Sequence, residues 1–245
     1  MIGKGKSISH GVAALEYDLA KEIDGQAAAT EIARHELYGC TGAEMVQEMK
    51  PYFTDFPNVK NNCLRFEVSP SIEESSSFTD ADWAELGNDF MQRMGLVNHQ
   101  YIIIKHSRTE SKKEQAHLHI LANRISLSGE LYRDNWIGKR ATEAANAIAK
   151  ERNFVQSQDI GKANKEEIKE AMNSVLKKMQ GFDLTKFQEE LGKLGFKIRE
   201  ARASTGKLNG YYVTARSGTE YKASEIGKGY TFAHIERTQS KLKYN

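Results

Sequence analysis

The chain has 245 residues, 39% of them hydrophobic and 28% charged, with a formal net charge of +2. That length supports a real core in one or two domains, burying roughly 70% of the unfolded surface. No apolar run approaches the ~20 residues of a membrane span, the opening MIGKGKSISHG lacks the apolar core of a secretion signal, and Cys40 and Cys63 are too few for a disulfide framework, so a reducing cytoplasm is expected.

In chain order, Met1 to Ser9 alternates weakly around Ile2 and Ile8 and is expected to form a short strand exposing Lys4 and Lys6. After the His10-Gly11 turn, Val12 to Lys21 carries Val12, Leu15 and Leu19 at helical spacing; Tyr17 lies on that helix and by residue type alone is a packing tyrosine with a surface hydroxyl. Asp24-Gly25 ends the element. Ala27 to Leu37 is expected to be a second helix and Thr41 to Met49 a third, stopped by Pro51, with Tyr38 between them. Asn61 to Ser69 alternates as a strand, Ser71 to Ser77 is a polar loop, and Thr79 caps a helix from Ala81 to Met94. Its Trp83, Leu86, Phe90 and Met94 form a core stripe, ended by Gly95.

Tyr101 to Ser126 reads as a hairpin with a long loop: apolar Tyr101 to Ile104, polar Ser107 to Gln115, then extended Ala116 to Ile125 before the Ser128-Gly129 turn. Residues two apart on a strand share a face, so His117 and His119 project together. If His106 stands opposite His117, three imidazoles converge. A lone His-x-His is as readily two half-buried sheet histidines, but the third histidine shifts the balance towards a metal site. Neutral imidazole suits Zn, Fe, Ni, Mn or Cu, so this pattern implies a metal without naming a reaction.

Beyond the hairpin, Tyr132 and Trp136 interleave with Arg133, Lys139 and Arg140, a pattern able to stack single-stranded bases and contact phosphate. The competing reading packs Trp136 onto the sheet. Ala141 to Lys150 is an alanine-rich helix, Phe154 to Ile160 is extended, and Asn164 caps a helix from Lys165 to Met179. Asp183 caps Leu184 to Lys193, Phe196 to Arg202 begins a strand, and Tyr211 to Ala215 joins Glu220 to Lys222 through a tight turn at Ser217-Gly218. From Lys197 to Lys243 ten positive residues, Arg199 and Arg202 among them, face four negative ones, net +6, whereas residues 61 to 94 carry net −5. A chain polarised in this way can hold a polyanion despite a small overall charge.

The run HLHILANRI resembles the third motif of relaxases, the mobilisation nucleases of the HUH (histidine, hydrophobic, histidine) superfamily. It is most similar to the mobilisation-protein branch of plasmids and mobilisable elements, including those of gut Bacteroidetes. His117 and His119 match the paired histidines, His106 the earlier one, and Asn123-Arg124 the pair that commonly follows. LEYDLAKE around Tyr17 looks like the early segment that carries the nucleophile, with Tyr38 a distant second. LGFKIRE, GYYV and KASEIGKGY resemble the branch's terminal segment, so the likeness runs from near residue 1 to about residue 235. The chain departs from the pattern at Arg65, where a histidine is common, and at Arg108, where an aspartate often follows the first histidine.

The resemblance implies an α+β, HUH-endonuclease-like fold, with an antiparallel sheet flanked by helices. Residues 1–160 would form the catalytic core and 161–245 a basic helical and hairpin extension. It implies strand-specific nicking and joining of single-stranded DNA at an origin of transfer through a 5′-phosphotyrosyl intermediate on Tyr17. His106, His117 and His119 would hold a divalent metal, Mg or Mn, with Ni or Zn able to replace it in vitro. Asn123 would act behind the ligands or support their strand. Lys4, Lys6, Arg124, Tyr132, Arg133, Trp136, Lys139, Arg140, Arg199 and Arg202 are the expected nucleic-acid contacts. A small basic accessory DNA-binding protein and a coupling protein are the implied partners, without membrane insertion. Two alternatives stay open: a rolling-circle replication initiator of the same superfamily, and a non-catalytic nucleic-acid-binding relic.

Overall fold

The computed structural model describes residues 1–23, 25–107 and 115–242, and the chain divides into two compact units, Met1–Ser157 and Gln158–Asn245. The first contains β1 (Ile2–Ile8), α1 (Gly11–Leu19), the short pair β2 (Glu22–Ile23) and β3 (Gln26–Ala27), β4 (Ala29–His35), α2 (Gly42–Phe53), β5 (Cys63–Ser69), α3 (Ile72–Ser75), α4 (Asp80–Arg93), β6 (His99–His106), β7 (His117–Ser126) and α5 (Ile137–Glu151). Five strands form one sheet in the order β1-β5-β7-β6-β4, and every neighbouring pair is antiparallel. The fold is α+β, an antiparallel sheet flanked by helices, as expected.

Strand alternation sorts the sheet into two faces. Leu64, Phe66 and Val68 of β5, with Leu118, Ile120 and Ala122 of β7, are buried under α4 and α5. The Trp83, Leu86 and Phe90 stripe and Ala141, Ala145 and Ile148 complete that layer, as the helical spacing of α4 predicts. Each such large side chain contributes roughly 1.5–3 kcal/mol of burial. The opposite face is apolar only where α1 and α2 cover it, through Cys63, Leu121, Ile102 and Ile104. Towards the His106 end the same face turns polar, and there Asp18 of α1 meets it.

Three expectations fail in this unit. Residues 27–37 are not a helix. Ala29–His35 pairs as an edge strand with β6, Ala29 opposite His106 and His35 opposite Tyr101, with an irregularity between Glu31 and Ala33. Tertiary pairing overrides a helix-favouring composition. Pro51 does not stop α2, which runs on to Phe53 from a capping box between Thr41 and Glu44. Within Ser71 to Ser77, α3 forms a single turn capped by Ser71 and Glu74.

The second unit contains α6 (Ser157–Lys178), α7 (Leu184–Lys193), β8 (Lys197–Arg202), β9 (Leu208–Thr214), β10 (Glu220–Lys222), α8 (Ala223–Ile226), a 3-10 turn at Lys228–Tyr230 and α9 (Phe232–Leu242). Asp183 caps α7, and Gly218 (φ +84°) turns β9 into β10, both as expected. The helix expected from Lys165 starts instead at Ser157 and absorbs the stretch expected to be extended. Asn164 is therefore interior to α6, and its amide donates to Ser217 Oγ and Tyr221 Oη, each at 3.0 Å. Ile168, Met172, Phe187, Leu191, Phe196 and Val213 form this unit's core. Among the described residues no helix is long and apolar enough to cross a membrane.

β1 passes close under α5. A methyl group at Gly3 would stand 2.4 Å from the Ala141 carbonyl oxygen and 2.6 Å from Ala145 Cβ. Gly3→Ala should therefore destabilise the fold by about 2 kcal/mol through overpacking, read as a lower urea midpoint; an unchanged midpoint would show that α5 can retreat at no cost.

Candidate metal centre

The register of the central strands builds the site. β6 and β7 pair His106 with His117 and Ile104 with His119, while β5 sets Glu67 opposite His119. The three imidazoles thus share one face, at the polar end left uncovered by α2. Ring centroids lie 4.4 Å apart for His106 and His119, 4.8 Å for His117 and His119, and 5.3 Å for His106 and His117. One ring nitrogen from each lies within 4.8 Å of the others. His117 Nε2 is 3.0 Å from His119 Nε2, close to the ~3.3 Å that two imidazoles adopt on one tetrahedral ion with bonds of about 2.05 Å.

Burial keeps these rings neutral, the form a metal requires. It lowers His106 and His117 below the usual histidine value, and for His119 burial, then the other two rings, pushes the pKa to about 2. His106 Nε2 lies 2.8 Å from the Asp18 main-chain oxygen, which can only accept, so this nitrogen carries the hydrogen. The lone pair is then on Nδ1. The chemistry of three close, neutral imidazoles, two buried and one partly buried, fits a divalent metal.

Sequence reasoning missed Asp18. It is 1% exposed, and its carboxylate accepts from Arg65, Nε to Oδ2 at 3.1 Å with a second contact from Nη2 to Oδ1. Burial raises the Asp18 carboxyl above the ordinary aspartate range while Arg65 pulls against that shift. Arg65 Nη2 also approaches His119 Nδ1 at 3.3 Å, and Asp18 Oδ1 lies 3.8 Å from the same nitrogen. The signal was available in the heptapeptide CLRFEVS. Leu64, Phe66 and Val68 point one way, so Arg65 points into the other, half-covered face and needs an acid there. Asp18 follows Leu15 by three residues, on the buried side of α1.

The candidate nucleophiles separate clearly. Tyr17 is 57% exposed, next in sequence to Asp18, and Lys21 Nζ donates to its hydroxyl at 3.3 Å. Tyr38 follows β4 at the His35–Tyr101 end of the strand pair, whereas the cluster is at the Ala29–His106 end. Five residues of β6 separate the two ends, about 17 Å. Glu36 accepts from the Tyr38 hydroxyl at 3.2 Å and raises its pKa.

The other expected site residues divide. Asn123 is fully buried and donates to Gln100 Oε1 at 3.0 Å while its own Oδ1 accepts from the Ile125 amide, so it braces β7 and touches no ligand ring. Arg124 is spent inside the fold, on the Tyr132 and Asn61 carbonyls and on Asp134, which removes it from phosphate binding. Tyr132 donates to the Met94 carbonyl at 2.7 Å and lies beneath the Arg140 guanidinium, 4.7 Å from the ring, so it is a packing residue. Arg140 is half-buried on that ring and donates to the Arg133 carbonyl. Arg199 forks onto Glu220 and Arg202 pairs with Glu200, so both guanidinium groups are engaged within their own hairpin. Lys4, Lys6, Arg133, Trp136 and Lys139 are exposed, Lys4 paired with Glu67 at 2.9 Å. Trp136 is 80% exposed, against the reading that packs it on the sheet. A pocket of about 220 Å³ beside the cluster is lined by Lys4, Gly5, Lys6, Arg65, Phe66, Glu67 and His119. Arg108 and most of the expected loop lie outside the described residues.

The site thus joins an antiparallel sheet carrying a histidine–hydrophobic–histidine strand to a tyrosine-bearing helix bonded to the cluster. Residues 17–154 match the nuclease domain of MobA/VirD2-like relaxases. The match spans more than half of the chain, and the chain belongs to the relaxase family, whose members nick DNA. No curated protein matches it. Among solved structures, the conjugative relaxase TrwC, metal-bound and in complex with oriT DNA, aligns over 84% of this chain and 74% of its own at 11% identity and a TM-score of 0.36.

Two measurements test the site. Calorimetric titration with Mn or Ni should give one site per chain, abolished by H117A/H119A and weakened by H106A. Undiminished affinity in H106A would remove the third ligand. Arg65→Met should cost about 3 kcal/mol in urea unfolding, because it leaves a buried carboxylate unpaired, and R65M/D18N should recover part of that loss; equal stability of R65M and wild type would show the pair to be solvated.

Proposed function

We propose that the chain nicks and rejoins single-stranded DNA at an origin of transfer, as the mobilisation enzyme of a plasmid or related element. Tyr17 is the nucleophile, and His106, His117 and His119 hold a divalent metal, Mg or Mn in the cell. The observation that best supports this is the hydrogen bond from His106 to the Asp18 carbonyl. It ties the residue beside Tyr17 to the imidazole cluster, which supports reading the two as parts of one site.

In the reaction the Tyr17 oxygen bonds to the scissile phosphorus as the bond from phosphorus to the 3′ oxygen breaks. The phenolic proton is lost and the departing 3′ oxygen gains one, leaving a 5′-phosphotyrosyl ester and a free 3′-OH. Because the ester keeps the exchanged bond, attack by a 3′-OH reverses the step and rejoins the strand. A bound divalent ion would neutralise charge developing on the non-bridging phosphate oxygens. Lys21, already on the Tyr17 hydroxyl, offsets the phenolate charge as it forms. The Arg65–Asp18 pair holds α1 against the sheet beside His119, and Lys4 and Lys6 give the neighbouring pocket a cationic rim for the strand's phosphates. Residues 1–160 carry this chemistry, and 161–245 form an extension whose lysines supply sequence-independent attraction.

Incubation with Mn and a single-stranded oligonucleotide bearing the cognate nick site should give a denaturation-resistant protein–DNA adduct. Tyr17→Phe should abolish it, since one hydroxyl is deleted from an exposed ring, while Tyr38→Phe should retain it. An adduct formed by Y17F at the wild-type rate, mapped by mass spectrometry to another tyrosine, would sink the mechanism, and cleavage without any adduct would make the enzyme a metal-dependent hydrolase.

A further inference from the structure

Trp136 combines two unfavourable properties without a structural return. Its side chain is 80% exposed, and its backbone is left-handed, φ +56° and ψ 27°, a region that bulky residues rarely adopt. Strain of this kind persists where the surroundings impose it, and here it displays an indole to solvent. Exposed Arg133 precedes it and exposed Lys139 follows, the latter loosely paired with Glu143 at 3.7 Å. The first turn of α5 has no acidic residue that would repel phosphate.

The placement of this indole relative to the metal centre is set by glycines. A methyl group at Gly138 would stand 3.3 Å from the Gly5 carbonyl oxygen, so the start of α5 lies directly on β1 between Lys4 and Lys6. β1 is an edge strand, and only β5 separates it from β7 and His119. That is about 10 Å across two strand spacings. Lys6, on the face shared with the cluster, makes no ion pair among the described residues. Cations therefore continue from the imidazoles across the sheet edge to an exposed aromatic ring.

We propose that Trp136 is a stacking platform for a base of the single strand flanking the nick, with Lys6, Arg133 and Lys139 on the adjoining phosphates, so that the strand passes over the β1 edge. The identity of the strand rests on the nicking function proposed above; the stacking itself needs neither metal nor nucleophile. The chain has two tryptophans, and Trp83 is only 3% exposed, so quenching by a bound base reports Trp136.

Oligothymidylate titrated into the metal-free full chain should quench the emission in a saturable manner. Trp136→Ala should lose the quench and bind about tenfold more weakly, whereas Trp136→Phe should lose the quench but bind within about threefold of wild type. Trp136→Gly should melt at a temperature no lower than wild type, because glycine accepts the left-handed backbone, and still bind weakly. Unchanged affinity in W136A, or saturating binding by wild type without quench, would overturn the proposal. Lower melting of W136G would make the indole a packing residue and overturn it equally. Because oligothymidylate carries no nick site and no metal is added, a failed adduct assay leaves this outcome untouched, and the converse holds as well.

Discussion

The site depends on one pairing, His106 opposite His117, and on the two-residue period of the strands around it. A slip of one residue in β7 would send His117 and His119 into the apolar layer under α4 and put Leu118 and Ile120 on the polar face. That slip is opposed from both sides at once. β5 and β6 each hold β7 in antiparallel register, and Leu118, Ile120 and Ala122 are fully buried in the layer below. The hydrophobic face therefore positions the polar one. Asn123 adds a second lock through Gln100 and the Ile125 amide.

Three imidazoles on a half-covered face create a demand that the rest of the site answers. Each is pushed towards neutrality by burial, which leaves lone pairs available and lets His117 and His119 nitrogens approach closely without charge repulsion. The cationic Arg65 beside them would be costly alone, and Asp18 balances it from α1. The same residue's main chain accepts from His106. Helix and cluster are thus joined by both halves of a single aspartate, and Tyr17 is carried along as its neighbour.

Much of this was legible from residues. The hairpin, the facing histidines, the core stripe of α4, and the bounds and cap of α7 follow from periodicity and capping, because local pattern and tertiary role agree there. The failures are places where they disagree. Residues 27–37 have the composition of a helix and become an edge strand because β6 offers an open ladder. Asn164 looks like a cap but spends its amide on Ser217 and Tyr221, partners more than fifty residues away. Arg124 and Tyr132 look like ligands for a nucleic acid, yet their polar atoms are consumed by main-chain carbonyls that only the folded chain brings near. Asp18 was hidden for the opposite reason: an acid within a short amphipathic helix reads as surface until Arg65 is seen beneath it.

The irregular edge at β4 has a consequence for the company the protein keeps. A long, flat, unpaired strand invites a strand from another molecule, but here the ladder breaks between Glu31 and Ala33, beside an Arg34–Glu31 ion pair. On the far side, β1 presents lysines, and Thr142 from α5 donates to the Gly3 carbonyl at 3.0 Å. Both margins are thus poor templates for β-augmentation. Neither margin favours addition of another polypeptide strand, whereas a polyanion would need no ladder, only the charge of the exposed lysines on β1.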